Sequence, residues 1–380
     1  MKRLPLFAAP AFAALLLSAQ ASPSLIPAPG APVPTLEETR KAMGIPSAGD
    51  LRGQKDVVGF ASRADQMAKV WELSGLPPAP ERLGDKPPAG VAGAICPHDD
   101  YLYAGRVYRE IIPLVKARTV VLVGVFHGYR RYGAKDVMVF DDYRAWRSPD
   151  GEIPVSALRG EVLAGLEPGE AVRNAAWHDS EHSLEAIAYW LKHQDPGVEI
   201  LPVILPGTTF PRLQSMAAHF GHALAAAMKR RGLVLGRDVA IVISTDGIHY
   251  GADFNHTPFG AGGVAAFQSA MDRDRQLLRG PLSSTVTAAK AEAFYTTMVD
   301  PAHPDTYRMP WCGRFSVPFG LLLLEATSKE LGLPAPKGMP VAFGASVDVP
   351  ELPVRALGMG ATAPASLYHF VSFPAVAYVN

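Results

Sequence analysis

Short apolar runs alternate along the chain with longer stretches in which apolar positions recur at helical spacing. Residues 91–96, 119–126, 200–205, 239–244 and 341–345 read as strands, with 367–371 as a late one. Helical patterns fall at 183–193, 210–231, 262–278, 288–299 and 317–331. This order predicts an α/β protein, a single large domain on a mostly buried mixed sheet flanked by helices on both faces. No internal repeat is visible.

The first 55 residues stand apart. Lys2 and Arg3 precede an Ala-rich apolar stretch, and Ala19-Gln20-Ala21 supplies a small-x-small cleavage pattern. The stretch is shorter than the ~20 residues a bilayer span needs and is interrupted by Pro5 and Pro10. Residues 1–21 therefore read as a signal peptide cleaved after Ala21, giving a secreted or periplasmic protein without stable membrane insertion. Residues 22–55, with Pro23, Pro27, Pro29, Pro32 and Pro34, read as a Pro/Ala-rich linker. The folded domain is expected over 56–380.

Composition narrows the function. Of the 380 residues 48% are hydrophobic, and 36 basic side chains balance 36 acidic ones. Intrinsic disorder and nucleic-acid binding are thereby excluded as first readings. The 35 Gly and 35 Pro are spread without a period, so the chain is loop-rich rather than repetitive.

Candidate chemistry gathers where strands end, because loops at the carboxyl edge of such a sheet form its ligand crevice. One run leads into Pro97-His98-Asp99-Asp100-Tyr101-Leu102-Tyr103-Ala104-Gly105, another into Gly124-Val125-Phe126-His127, and a third into Ser244-Thr245-Asp246-Gly247-Ile248-His249-Tyr250-Gly251. Pro310-Trp311-Cys312-Gly313 stands before a helix. Each residue alone is most simply structural; His98, His127, Asp246, His249 and Cys312 at the ends of separate elements could share one crevice. Imidazole and thiolate suit Fe, Cu and Zn rather than Mg or Ca. His193, His219, His222, His256, His303 and His369 fit no such constellation.

In these motifs the sequence resembles the Memo family, protein B of the AmmeMemoRadiSam system, itself similar in fold to LigB-type extradiol dioxygenases. P-H-x-x-Y-x-Y-x-G matches 97–105, G-x-x-H 124–127, E-H-S-[LI]-E Glu181-His182-Ser183-Leu184-Glu185, S-[ST]-D-x-x-H-x-G 244–251, and C-G Cys312-Gly313, in the same order. The resemblance implies His98, His127 and Cys312 as metal ligands, Asp246 and His249 as catalytic residues in the same pocket, and Fe(II) as first cofactor, with copper or zinc as alternatives. His249 resembles the acid/base histidine of the ring-opening enzymes. Those enzymes carry a carboxylate where Cys312 stands, and a softer thiolate could alter the iron potential or favour another metal.

A second departure is Asp99-Asp100, where relatives carry small residues. These carboxylates could add a ligand, orient His98 or face water. Tyr101 and Tyr103 are pocket candidates, although strand-end aromatics commonly pack. In 177–185, Asp179 or Ser180 could cap a helix and Glu181 suits its positive end. His182 and Glu185, three apart, could point into the crevice as pocket or outer-shell residues. A Cys96–Cys312 disulfide is an alternative to thiolate ligation in an oxidising compartment.

Two function classes follow. One is an exported non-haem iron enzyme acting on a small, phenolic molecule such as an aromatic diol. The other is a metal-binding or peptide- or protein-interaction protein on the same scaffold, with a zinc hydrolase as a lesser third. Export separates the chain from the family's cytosolic partners, so no protein partner is inferred.

Overall fold

The computed structural model describes residues 32–380. The expected signal peptide lies outside the described residues. Ten strands form the main sheet: β1 (Gly93–Cys96), β2 (Thr119–Val125), β3 (Met138–Phe140), β4 (Ala171–Arg173), β5 (Glu199–Leu205), β6 (Val239–Ser244), β7 (His249–Gly251), β8 (Ser284–Thr285), β9 (Lys337–Ala345) and β10 (His369–Val379). Their order is β8-β9-β10-β1-β6-β2-β5-β3-β4, with β7 paired to β10.

The central four, β1, β6, β2 and β5, are mutually parallel. Every residue of β1, β2 and β6 is buried, which explains their apolar, non-alternating sequences. Antiparallel β10 and β3 flank this core and make the sheet mixed. Because the central strands run the same way, Cys96, Val125, Leu205 and Ser244 end at one edge. That edge receives the loops bearing His98, His127 and Asp246.

Helices cover both faces. Ala64–Ser74, Tyr101–Ile111 and Glu185–Gln194 pack on one, and Phe210–Arg231, Ala288–Met298 and Ser316–Glu330 on the other. Among the described residues no helix is long and apolar enough to cross a membrane.

The described part of 22–55 departs from the expected linker. It carries a helix, Leu36–Lys41, closed by a Thr35/Glu38 capping box. A short strand, Leu51–Arg52, pairs with Ala145–Ser148. Arg52 is 1% exposed: its guanidinium reaches the Glu185 carboxylate at 2.5 Å and the carbonyls of His178 and Glu181 at 2.7 and 2.6 Å, beneath the Trp146 ring. A buried cation held by one carboxylate and two carbonyls docks the segment, a long-range feature that Pro-rich composition conceals.

Candidate metal centre

The loops after β1, β2 and β6 meet the turn before Ser316–Glu330 at the carboxyl edge of the sheet. Two glycines permit the approach. A Cβ at Gly313 would lie 2.3 Å from Thr245 Oγ1, the atom that instead accepts the Gly313 N–H at 2.9 Å. A Cβ at Gly124 would lie 2.7 Å from the Leu184 side chain, so glycine there lets the 181–184 loop close on β2. The glycines of the C-G and G-x-x-H motifs thus draw separate loops together.

Two groups of potential ligands result, each with its ligand atoms within 4.8 Å of one another: His98, His127 and His182, and His98, Asp246 and Cys312. The rings of the three histidines stand 5.0–5.6 Å apart. His98 Nε2 lies 3.2 Å from Asp246 Oδ2 and 3.6 Å from Cys312 Sγ. The Asp246 N–H points at Cys312 Sγ at 3.3 Å, and the His98 N–H at Asp246 Oδ1 at 2.9 Å.

Each ring has one nitrogen already committed. Ser244 Oγ donates to the Ser183 carbonyl at 2.5 Å, so its contact with His98 Nδ1 at 2.7 Å is one in which the ring donates. His127 Nδ1 donates to Glu181 Oε1 at 2.9 Å, and His182 Nδ1 to Asp56 Oδ2. Acceptors at all three Nδ1 atoms leave the Nε2 atoms for the crevice, the orientation that metal-ligating imidazoles adopt, although His182 must first give up its Nε2 proton to ligate. The donor set fits a d-block ion. Because His98 offers one lone pair, the two groups could serve one ion but not two at once.

A family model for Memo-like proteins matches residues 78–350. The chain belongs to that family. Among curated relatives it is 28% identical over 164 residues to a MEMO1 family protein of Methanothermobacter thermautotrophicus, covering 42% of this chain and 54% of that one. It is 27% identical over 179 residues to one of Thermococcus kodakarensis, covering 45% and 57%, and 31% identical over 162 residues to one of Methanosarcina barkeri, covering 42% and 55%. The chain thus spans about half the length of the curated relatives it matches.

Within this Memo-like site the electrostatics separate the roles. Burial pushes the Asp246 carboxyl up to about 7, against the His98 and Asp99 N–H groups and the His182 charge. Burial and the neighbouring His127 and His182 hold His98 well below the ordinary imidazole value. For His182 burial is outweighed by Asp56, Glu181 and Glu185, which raise it to about 10. Burial and Asp246 push the Cys312 thiol well up. Burial draws His249 down to about 4, so its ring is neutral near pH 7. His249 Nδ1 donates to the Gly247 carbonyl at 3.0 Å and its ring meets Phe254 edge-on.

Several expected positions are placed differently. Of the two places expected for His182, in the pocket or behind the ligands, it takes the first and sits among the potential ligands. Glu185 does not enter the crevice; it binds Arg52 and the N–H groups of Lys55 and Asp56, and so braces the loop that presents Asp56. Tyr101 packs among Phe60, Tyr108 and Trp190 and donates to the Ala186 carbonyl at 3.1 Å, while Tyr103 donates to the Ala363 carbonyl at 3.0 Å. Neither lines the crevice. Their helix, Tyr101–Ile111, is buried at most positions, so the aromatic spacing serves packing.

Asp100 accepts from Thr362 N and Oγ1 at 2.5 and 2.7 Å, and Asp99 accepts from the Asp100 N–H. Neither carboxylate belongs to the clustered ligand atoms. Neither Asp179 nor Ser180 is an N-cap: Asn174 opens the helix Ala175–Asp179 and Ser180 closes it, and Asp179 is bound by Ser47, Arg40 and Tyr143. Cys96 and Cys312 are separate buried thiols. No local pattern pointed to Asp56, whose partner His182 is 126 residues away, nor to Glu181 as the acceptor behind His127.

Proposed function

We propose that this protein is an exported metal-dependent enzyme of the ring-opening dioxygenase type, acting on an aromatic diol or related small phenol, with Fe(II) as its ion. The observation that carries the reading is the set of Nδ1 acceptors, which turns three imidazole Nε2 atoms into one crevice beside an uncharged histidine. His98 and His127 would hold the ion with Cys312, and His182 and Asp246 are close enough to join or replace one of them. When bound, iron supplies the electron relay between diol and oxygen that ring opening requires.

The chain's own residues then account for proton movement. His249, neutral near pH 7 and fixed through Nδ1, can take a phenolic proton at Nε2 and return it to the product. Asp246, with its carboxyl near neutrality, can hold a second proton beside His98 Nε2. Phe254 packs edge-on against the His249 ring, and the desolvation of that ring favours its neutral form.

The test is anaerobic loading of the full chain with Fe(II), followed by oxygen uptake over a panel of catechols. The expected result is uptake stoichiometric with diol consumption, lost in His98→Ala. A loaded protein that consumes no oxygen with any diol refutes the reading and leaves a metal-binding protein on the same scaffold. Export is tested separately by the amino-terminal residue of protein recovered from the native cells, expected at Ser22.

A further inference from the structure

The helix Val264–Arg279 packs against β10 and carries a carboxylate, Asp274, that is 0% exposed. Burying a carboxylate is costly unless donors match it. Here Oδ1 accepts from the Trp311 indole N–H at 2.8 Å, and Oδ2 accepts from the Ile248 N–H at 3.1 Å and from the Ser372 hydroxyl. Burial pushes the carboxyl up to about 6 against these donors and the Arg273 charge, so it is an anion near pH 7. Each of its bonds is therefore charge-assisted.

Two of the donors stand next to the proposed chemistry. Trp311 immediately precedes Cys312, and Ile248 immediately precedes His249. Ile248 and Trp311 also face each other across an antiparallel bridge. Ser372 stitches the second loop from the other side: its carbonyl accepts from the Gly247 N–H at 2.8 Å, and its N–H donates to the Ile248 carbonyl at 3.1 Å. Its Oγ accepts from the Ile248 N–H at 3.0 Å. Close approach requires the glycine before Ile248, since a Cβ at Gly247 would lie 2.1 Å from Ser372 Oγ and 2.8 Å from Asp274 Oδ2. Trp311 is itself 0% exposed, so without Asp274 its indole N–H would be left unpaired in the core.

We propose that Asp274 is a positioning residue of the candidate centre: its carboxylate ties the turn that carries Cys312 to the loop that carries His249, and so fixes where the sulfur stands relative to the proton-moving ring. The roles of Cys312 and His249 rest on the function proposed above. The tie itself rests on the three hydrogen bonds of Asp274.

The test uses the full chain and two reporters that need no turnover. Magnetic resonance of metal-free protein follows the Trp311 indole N–H and the His249 ring, with the Trp146 indole, which donates to Asp141 at 2.6 Å, as internal reference. The thiolate-to-copper absorption of Cu(II)-loaded protein follows Cys312. In Asp274→Ala the Trp311 indole signal should move upfield and exchange faster with solvent, the His249 ring signals should broaden, and the copper band should shift or be lost, while Trp146 stays fixed. Asp274→Asn should restore most of this, because its amide oxygen can keep the indole while its NH2 meets Ser372 Oγ.

Two variants that retain the carboxylate separate its arms, and they carry the test if Asp274→Ala fails to fold. Trp311→Phe should shift the copper band and leave the His249 ring; Ser372→Ala should broaden the His249 ring and leave the band. Unmoved reporters in Asp274→Ala, or both reporters moving alike in each single-arm variant, overturn the proposal. Absence of the copper band from the native protein also overturns it, by removing Cys312 from the ligand set. Oxygen uptake over the catechol panel decides the reaction separately: no uptake with both reporters behaving as expected refutes the diol reading and keeps Asp274 as the tie between the two loops.

Discussion

Glu181 is the buried carboxylate on which the arrangement of His127 and His182 most depends, and Glu181→Gln removes its charge with little change of shape. Oε1 accepts from His127 Nδ1 at 2.9 Å and from the N–H groups of His182 and Ser183, each at 2.8 Å; Oε2 accepts from the His127 N–H at 2.6 Å. A glutamine can keep its carbonyl oxygen toward the first three donors only by turning its NH2 against the fourth. One buried donor is then orphaned and the remaining bonds lose their ionic partner. With charge-assisted bonds worth about 1.5–3 kcal/mol and an orphaned donor about 1–3 kcal/mol, the expected loss is about 3–5 kcal/mol.

The pH dependence gives a second reading of the same carboxylate. Burial raises the Glu181 pKa, but His127, His182 and the Ser183 N–H overrule it and hold the group well below the ordinary carboxylate range. Its contribution is therefore present above the unfolded-state value near 4 and lost as pH falls through the folded one. Urea unfolding of metal-free protein should show the full gap between native and variant at pH 7, narrowing below about pH 4. Metal titration of the variant should show an affinity about 10–100-fold weaker, since His127 loses the acceptor that fixes its tautomer. Unchanged stability together with unchanged metal affinity would refute the assignment of Glu181 as the group behind His127.

Other perturbations address single links. His249→Ala should lower turnover by about 10²–10⁴-fold with metal affinity preserved, and native activity should fall as acid protonates His249 toward its value of about 4; an acid limb unchanged in a residually active His249 variant would exclude it as the base. Cys312→Ser should abolish the thiolate-to-copper absorption of Cu(II)-loaded protein; a band that persists places sulfur outside the ligand set. Arg52→Ala strands buried Glu185 and should cost about 3–5 kcal/mol in chemical unfolding, with Arg52→Lys recovering part of it; a loss under about 1 kcal/mol would mean the buried pair does not anchor the amino-terminal segment.

The central strands and the long helices were legible because their signals are local. Val239–Ser244 falls where an apolar run puts it, since its continuous burial leaves no polar position to obscure the pattern, and Phe210–Arg231 where helical spacing does, since one face is buried and the other polar. The three-residue strands Met138–Phe140 and Ala171–Arg173 are too short to show a period. Tyr101–Ile111 was hidden because its opening residues read as a motif-bearing loop, and Ala64–Ser74 was not anticipated. The convergence of His98 with Asp246 and Cys312 followed from strand ends meeting at one edge. Asp56 and Arg52 stayed illegible because their partners, His182 and Glu185, lie 126 and 133 residues away, and no local pattern encodes such pairings.

These distant pairings bear on how the site is assembled. Ser244 comes from a central strand, Glu181 from the loop before Glu185–Gln194, and Asp56 from the end of the docked amino-terminal segment. Each fixes one imidazole through Nδ1, so three rings are aimed without an ion to organise them, and folding bears the ordering entropy that metal binding would otherwise meet. The segment bearing Asp56 is also the one that Arg52 anchors. Arg52 and Glu185 therefore influence the crevice from behind it: weakening their pair should loosen His182 more than His98, whose acceptor lies in the buried sheet. The imidazole resonances of metal-free Arg52→Lys protein would show this directly, with His182 broadened and His98 unchanged; equal broadening of both would mean that the segment does not act through Asp56.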